Sequence, residues 1–186
     1  MPVSDRRTFL RGAGVGLLGF TVAGARVFLT PAEARAADAT LQALTAAEAA
    51  SLEAVGETFA PGATKAGIAW FVDQQLTVPP NDSLLMARYF NVPPPYADFY
   101  GASLAALNGF SRVRHEQAFA DLDSGTATKL LQELLTGEPD GWQGPPAVLV
   151  YLVLRNDAVD VVYGTPEGIE SLGVPYMAHI MPPAKW

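Results

Sequence analysis

The side chains able to do chemistry in this chain are few and scattered. Of its 186 residues none is cysteine and two are histidine, His115 and His179. Thiolate metal sites, covalent haem attachment through Cys-x-x-Cys-His and disulfide staples are therefore excluded. The two histidines stand far apart, and neither sits in the Glu-x-x-His pattern of di-iron bundles. His115-Glu116 opens like a zincin helix, but no second histidine follows one turn later. His115 reads as a helix-surface residue. Asp157 and Asp160 share a helical turn, and Asp121 and Asp123 lie close together in a loop. Paired acids can do acid–base work, but on so acidic a chain they read as solvated faces and helix caps. There is no Gly-x-Ser-x-Gly elbow. Gly14-x-Gly16-x-x-Gly19 matches the dinucleotide fingerprint letter for letter. That motif works only between a strand and a helix of a βαβ unit, and this one sits in an apolar run behind two arginines. The expectation is a chain with no catalytic, cofactor-binding or metal-ligating residues of its own.

The elements that would position such residues read as helices. Thr45-Ala46-Ala47-Glu48 is a capping box, in which the hydroxyl and the carboxylate each serve a free N–H. It opens a helix over 46–59 with Leu52, Val55, Gly56 and Phe59 on one face. A second helix is expected over 66–76, with Ile68, Val72 and Leu76 as its stripe. Asp82 would cap a short third over 83–90. A long fourth spans 96–119, in which Gly101 and Gly109 read as points of close helix approach. A fifth runs from Asp123 or Ser124 to Thr136, with Leu130, Leu131, Leu134 and Leu135 inward. Pro145-Pro146 opens a sixth, 147–163, whose seam is Leu149, Leu152, Asn156, Val159 and Tyr163. Gly and Pro together number 32, which calls for long connections. No alternating run is long enough for a sheet. The class is all-α: an irregular bundle of about six helices with long Pro/Gly-rich loops and an extended C-terminal tail.

The last segment, 165–186, is too irregular for a core element and too apolar to float in water. It lies either against the chain's own helices or, as a tail from Tyr163 onward, against a second protein. Tyr163, Tyr176, Met177, His179, Met181 and Trp186 are its candidate partner contacts, since aromatic and Met side chains are enriched at interfaces. The other reading is a stand-alone exported protein with a small-ligand pocket near Trp70, Trp142 and Trp186.

The N-terminus has a different character. Arg6 and Arg7 precede Phe9-Leu10, then an uncharged run, Gly12 to Ala25, then Ala34-Arg35-Ala36. A basic head, an apolar middle and an A-x-A end make an export signal. The arginine pair with Phe9 and Leu10 close behind resembles the twin-arginine type. The run is shorter than the roughly 20 residues of a spanning helix. The expected layout is a signal over 1–36, cleaved at Ala34 and Ala36, and one domain over 37–186. Beyond residue 36 the chain carries seven basic and seventeen acidic residues, a net of −10. That balance argues against nucleic acid as a partner.

Two stretches then resemble one family. The first is Leu44-Thr45-Ala46-Ala47-Glu48, with Phe59-Ala60-Pro61-Gly62, Ala66-Gly67-Ile68 and Phe71-Val72-Asp73 after it. The second is Tyr163-Gly164-Thr165-Pro166-Glu167-Gly168, with Leu172-Gly173-Val174-Pro175-Tyr176 and Pro182-Pro183-x-x-Trp186. The pattern is similar to subunit 3, the small subunit, of the gluconate 2-dehydrogenase family. The resemblance implies a non-catalytic subunit beside an FAD-dependent flavoprotein of the glucose–methanol–choline type, often with a multi-haem cytochrome c that carries haem c. It implies that the small subunit lends its signal to that flavoprotein at the twin-arginine (Tat) translocase. The expected location is the periplasm or the outer face of the cytoplasmic membrane.

Overall fold

A computed structural model describes residues 17–173. Its architecture is an irregular, mostly helical bundle, the expected class, with nine α-helices and one two-stranded sheet among the described residues. The sheet was not expected. Strands β1 (Leu18–Val22) and β2 (Ala25–Leu29) pair antiparallel, Leu18 opposite Leu29. Ala23 and Gly24 turn between them with φ of 48° and 79°. Two positive φ values in a two-residue loop match the right-handed twist of the strands. Ala at the first position hides the turn from a reading that looks for Asn-Gly. Helix α1 (Pro31–Ala36) follows directly, with a full capping box of Thr30 and Glu33.

Helix α2 (Ala46–Phe59) starts on the expected Thr45–Glu48 box. It turns at Gly62, φ 98°, into the single turn α3 (Ala63–Ala66). Gly67, φ 84°, then breaks the expected 66–76 helix and starts α4 (Ile68–Leu76). The expected third helix shrinks to α5 (Met86–Tyr89), and Asp82 does not cap it. Helix α6 (Tyr96–His115) ends four residues early, because Glu116 enters the left-handed region at φ 60°. A 3-10 turn (Phe119–Asp121) leads to α7 (Ser124–Leu134), capped by Asp123. Helix α8 (Ala147–Tyr163) and the short α9 (Pro166–Ser171) complete the order.

Helices α2 and α8 lie against each other, and the others gather around this pair. Leu52, Val55, Ile68, Tyr100, Leu104, Leu107, Phe110, Leu130 and Leu154 fill the space between them. Two inward faces differ from expectation. Leu135 is exposed, since α7 ends one residue before it. In α8 the buried positions are Ala147, Val150, Val153, Leu154, Asp157 and Ala158, so the seam is rotated from the expected one. Eight unbroken apolar residues (147–154) gave no periodicity from which to place it. The expected close approaches at Gly101 and Gly109 are not where the backbones crowd: a Cβ at Gly109 would meet nothing. Crowding falls at Gly56 against Ile68, at Gly144 against Ala106, and at Gly67 against the backbone of Pro31.

Gly67 combines a left-handed φ with a Cβ direction that runs into the Pro31 carbonyl. Left-handed geometry alone costs an L-residue about 1–2 kcal/mol, and the overlap adds to it. Gly67→Ala should therefore lower the melting temperature by at least about 4 °C, measured by calorimetry or circular dichroism. Gly109→Ala, in open space on a helix, should hold or raise it.

Candidate functional site

Three buried polar anchors shape the surface that a ligand or partner can meet. The first is Asp73 on α4, only 3% exposed. Its carboxylate accepts backbone N–H bonds from Gln42 (2.9 and 3.0 Å), Ala43 (2.8 Å) and Leu44 (2.8 Å). Three successive N–H groups on one carboxylate hold the 37–44 connection against the body. The second is Asp157 on α8, 1% exposed. It accepts the Met86 N–H at 2.9 Å, which supplies the missing cap of α5, and a hydrogen bond from the Tyr100 hydroxyl of α6. One side chain thus joins three helices. The third is Gln75, which accepts the Leu84 N–H at 2.7 Å; the Ser83 hydroxyl donates back to the Gln75 carbonyl at 3.3 Å.

Asp157 was expected on a solvated face. It is buried because α8 is the central helix and its rotation turns that position inward. Asp160, one turn on, does reach the surface, and partial burial raises its carboxyl pKa.

These anchors set the walls of an apolar groove of about 650 Å³. Leu18 of the hairpin, Pro31 and Ala32 of α1, and Phe71 of α4 form one side. Leu84, Met86 and Tyr89 around α5 form another. Asp160, Val161, Val162, Gly164, Thr165 and Glu167 close it. Leu84 and Tyr89, 50% and 59% exposed, stand as a hydrophobic rim. The groove contains no histidine, and among the described residues no three His, Asp or Glu side chains gather to hold a metal. No described helix is long and apolar enough to cross a membrane.

Of the expected contact residues, Tyr163 is half-buried at the end of α8, packed against the main core. Tyr176, Met177, His179, Met181 and Trp186 lie outside the described residues, as do Arg6, Arg7, Phe9 and Leu10. Ala34 is fully buried and Ala36 is exposed, both in α1. His115 is exposed in the last turn of α6. The tryptophan pocket is not assembled from the residues described. The Trp70 indole donates to the Ala39 carbonyl at 2.8 Å, beside the hairpin. Trp142 donates to the Pro145 carbonyl at 2.8 Å and meets Phe110 edge-on. Neither lines the groove.

The structure is thus a mostly helical body with an apolar groove built from several elements. A family model described as gluconate 2-dehydrogenase subunit 3 matches residues 46–179, and the chain belongs to that family. No curated protein and no solved structure matches it. The motif residues that carried the resemblance now have physical roles. Thr45 and Glu48 cap α2. Gly67 lets α1 approach, and Asp73 gathers the loop N–H groups. In the second motif the Gly164 N–H closes α8 on the Asp160 carbonyl at 2.8 Å, and Thr165 caps α9 through the Gly168 N–H at 3.0 Å. That corner is a wall of the groove.

Asp157 also makes a pH signature. Burial raises its carboxyl pKa to about 7, against the opposing pull of the Met86 N–H and the Tyr100 hydroxyl; Asp160 adds to the rise. Unfolded, the group ionises near 3.9. Between those values the folded chain holds one proton more than the unfolded chain. This group's contribution therefore falls as pH rises from about 4 to 7 and is level outside that window. The span is at most about 4 kcal/mol. In Asp157→Asn an amide oxygen still accepts from Met86 and nothing titrates. Urea unfolding at pH 4.5 and 7.5 should show wild type losing stability relative to Asp157→Asn at the higher pH.

Proposed function

We propose that this chain is the non-catalytic small subunit of a periplasmic flavin-dependent sugar or alcohol dehydrogenase. It would assist the folding of the flavoprotein subunit and carry it through the Tat translocase. The observation that carries the reading is the family match over residues 46–179. The arginine pair Arg6-Arg7 with Phe9-Leu10 supports the export role. In this reading FAD sits on a large subunit of the glucose–methanol–choline type, and haem c on a cytochrome subunit where one is present. The chain brings neither. The contact face is the tail from Tyr163 onward together with the groove beside it. Gly164, Thr165 and Glu167, among the first residues of that tail, are themselves groove wall.

Two experiments test this. Arg6→Lys with Arg7→Lys should leave the flavoprotein in the cytoplasm when both chains are expressed in the native host; unchanged export would end the export role. Leu84→Asp with Tyr89→Asp charges the rim without touching the core. Co-purification of the flavoprotein should fall at least tenfold while the melting temperature of the small subunit stays within about 2 °C. Undiminished co-purification would move the contact elsewhere on the chain.

A further inference from the structure

We infer that residues 18–36 are a permanent part of the folded domain, and that Ala34-Arg35-Ala36 is not cut even when the chain is exported. The inference builds on the export reading only in naming where processing would otherwise occur.

A peptidase must take its target segment extended and accessible, and nicking concentrates in exposed, loosely held loops. Here the A-x-A segment is the end of a capped helix. Ala34 is 0% exposed, in a small core with Phe20 and Ala39, against which Trp70 packs. The Arg35 Nε pairs with Glu53 of α2 at 2.9 Å. The bonds that follow the predicted cut run back across it. The Ala37 N–H donates to the Glu33 carbonyl and the Ala39 N–H to the Ala34 carbonyl, both at 2.9 Å. The Thr40 N–H donates to the Thr21 carbonyl of β1 at 2.8 Å. Cutting between Ala36 and Ala37 would remove the acceptors of all three.

The rest of the chain is also shaped for this segment. Gly67 is a site where any side chain would collide with the backbone of Pro31. The indole of Trp70 reaches the carbonyl of Ala39, the residue that the segment's small core encloses. A two-stranded hairpin is at best marginally stable alone in water, so β1 and β2 depend on this seat. Any leader then ends upstream of Leu18. The apolar run is shared: its second half is strand β1 and the turn after it.

Two measurements on the full chain decide the matter. Ala34→Leu places three extra carbons in a filled site, and overpacking should lower the melting temperature by about 3–10 °C. Ala36→Leu, on the exposed face of the same turn, should leave it within about 2 °C. An unchanged melting temperature in Ala34→Leu would overturn the inference. The second measurement is the N-terminus of the chain recovered from periplasm and from cytoplasm of the native host, read by intact mass. A terminus upstream of Leu18 in the periplasmic chain is expected. A periplasmic chain beginning at Ala37 would overturn the inference and leave export standing. A chain confined to the cytoplasm would instead sink the export reading, and Ala34→Leu would still decide the packing.

Discussion

Three backbone N–H groups in a row point at one carboxylate, that of Asp73. Much of the structure depends on how such groups are satisfied. Buried backbone donors without partners each cost on the order of 1–3 kcal/mol. A small helical protein with 15 prolines and 17 glycines has many irregular connections and so many donors to place. This chain places them on side chains, three of them buried (Asp73, Asp157 and Gln75), Asn108 half-buried and Glu138 exposed. Asp73 takes the connection between α1 and α2. Asp157 takes the start of α5, Gln75 takes Leu84, and Glu138 takes the Ala147 N–H at the start of α8, at 3.0 Å. The Asn108 side chain accepts from Phe119 at 3.1 Å, which lets α6 stop and the chain reverse. The two acids that are buried, Asp73 and Asp157, are both structural acceptors, which explains how they can stay inside.

The same economy explains the groove. Its walls come from the hairpin, α1, α4, the α5 segment and the α8–α9 corner, elements far apart in sequence. None is long enough to define a surface alone. Asp157 fixes α5 to α8 and α6, and Asp73 helps to fix the α1 side, so the opposite walls are tied to the same rigid pair, α2 and α8. A surface built this way is preorganised: its side chains lose little freedom on contact. That suits a subunit whose family membership ties it to a larger enzyme.

Legibility in the sequence followed physical periodicity. The capping box at Thr45, the amphipathic α2 and the Asp123 cap were readable because hydroxyl, carboxylate and apolar positions recur at fixed offsets. The rotation of α8 was not, because an all-apolar stretch has no face. The stops at Gly67 and Glu116 were missed for different reasons. Gly67 looks like a tolerated helix glycine until Pro31, 36 residues earlier, occupies its Cβ space. Glu116 is an ordinary helix former that takes a left-handed turn to cap α6, its N–H on the Arg112 carbonyl at 2.9 Å. Of the groove, the end of α8 was legible through Gly164; the short α9 that Thr165 caps was not, because it lies in a stretch that reads as irregular. The hairpin wall was not, because the run 12–25 looks the same whether it enters a translocase or folds back as a strand.

That ambiguity has a physical root. Glycine and alanine make the run only weakly apolar, so it lacks the driving force to stay in a bilayer. Weak apolarity also leaves little surface for a hairpin to bury, and only Phe20 in β1 is truly inside. The docked state therefore needs help from elsewhere: the capping box on α1, the flat approach at Gly67, the Trp70 indole and the Thr40 to Thr21 hydrogen bond. Each is modest, and all rest on residues outside the run itself. The segment is held by the body that receives it rather than by its own composition, and that body is itself tied down through Asp73.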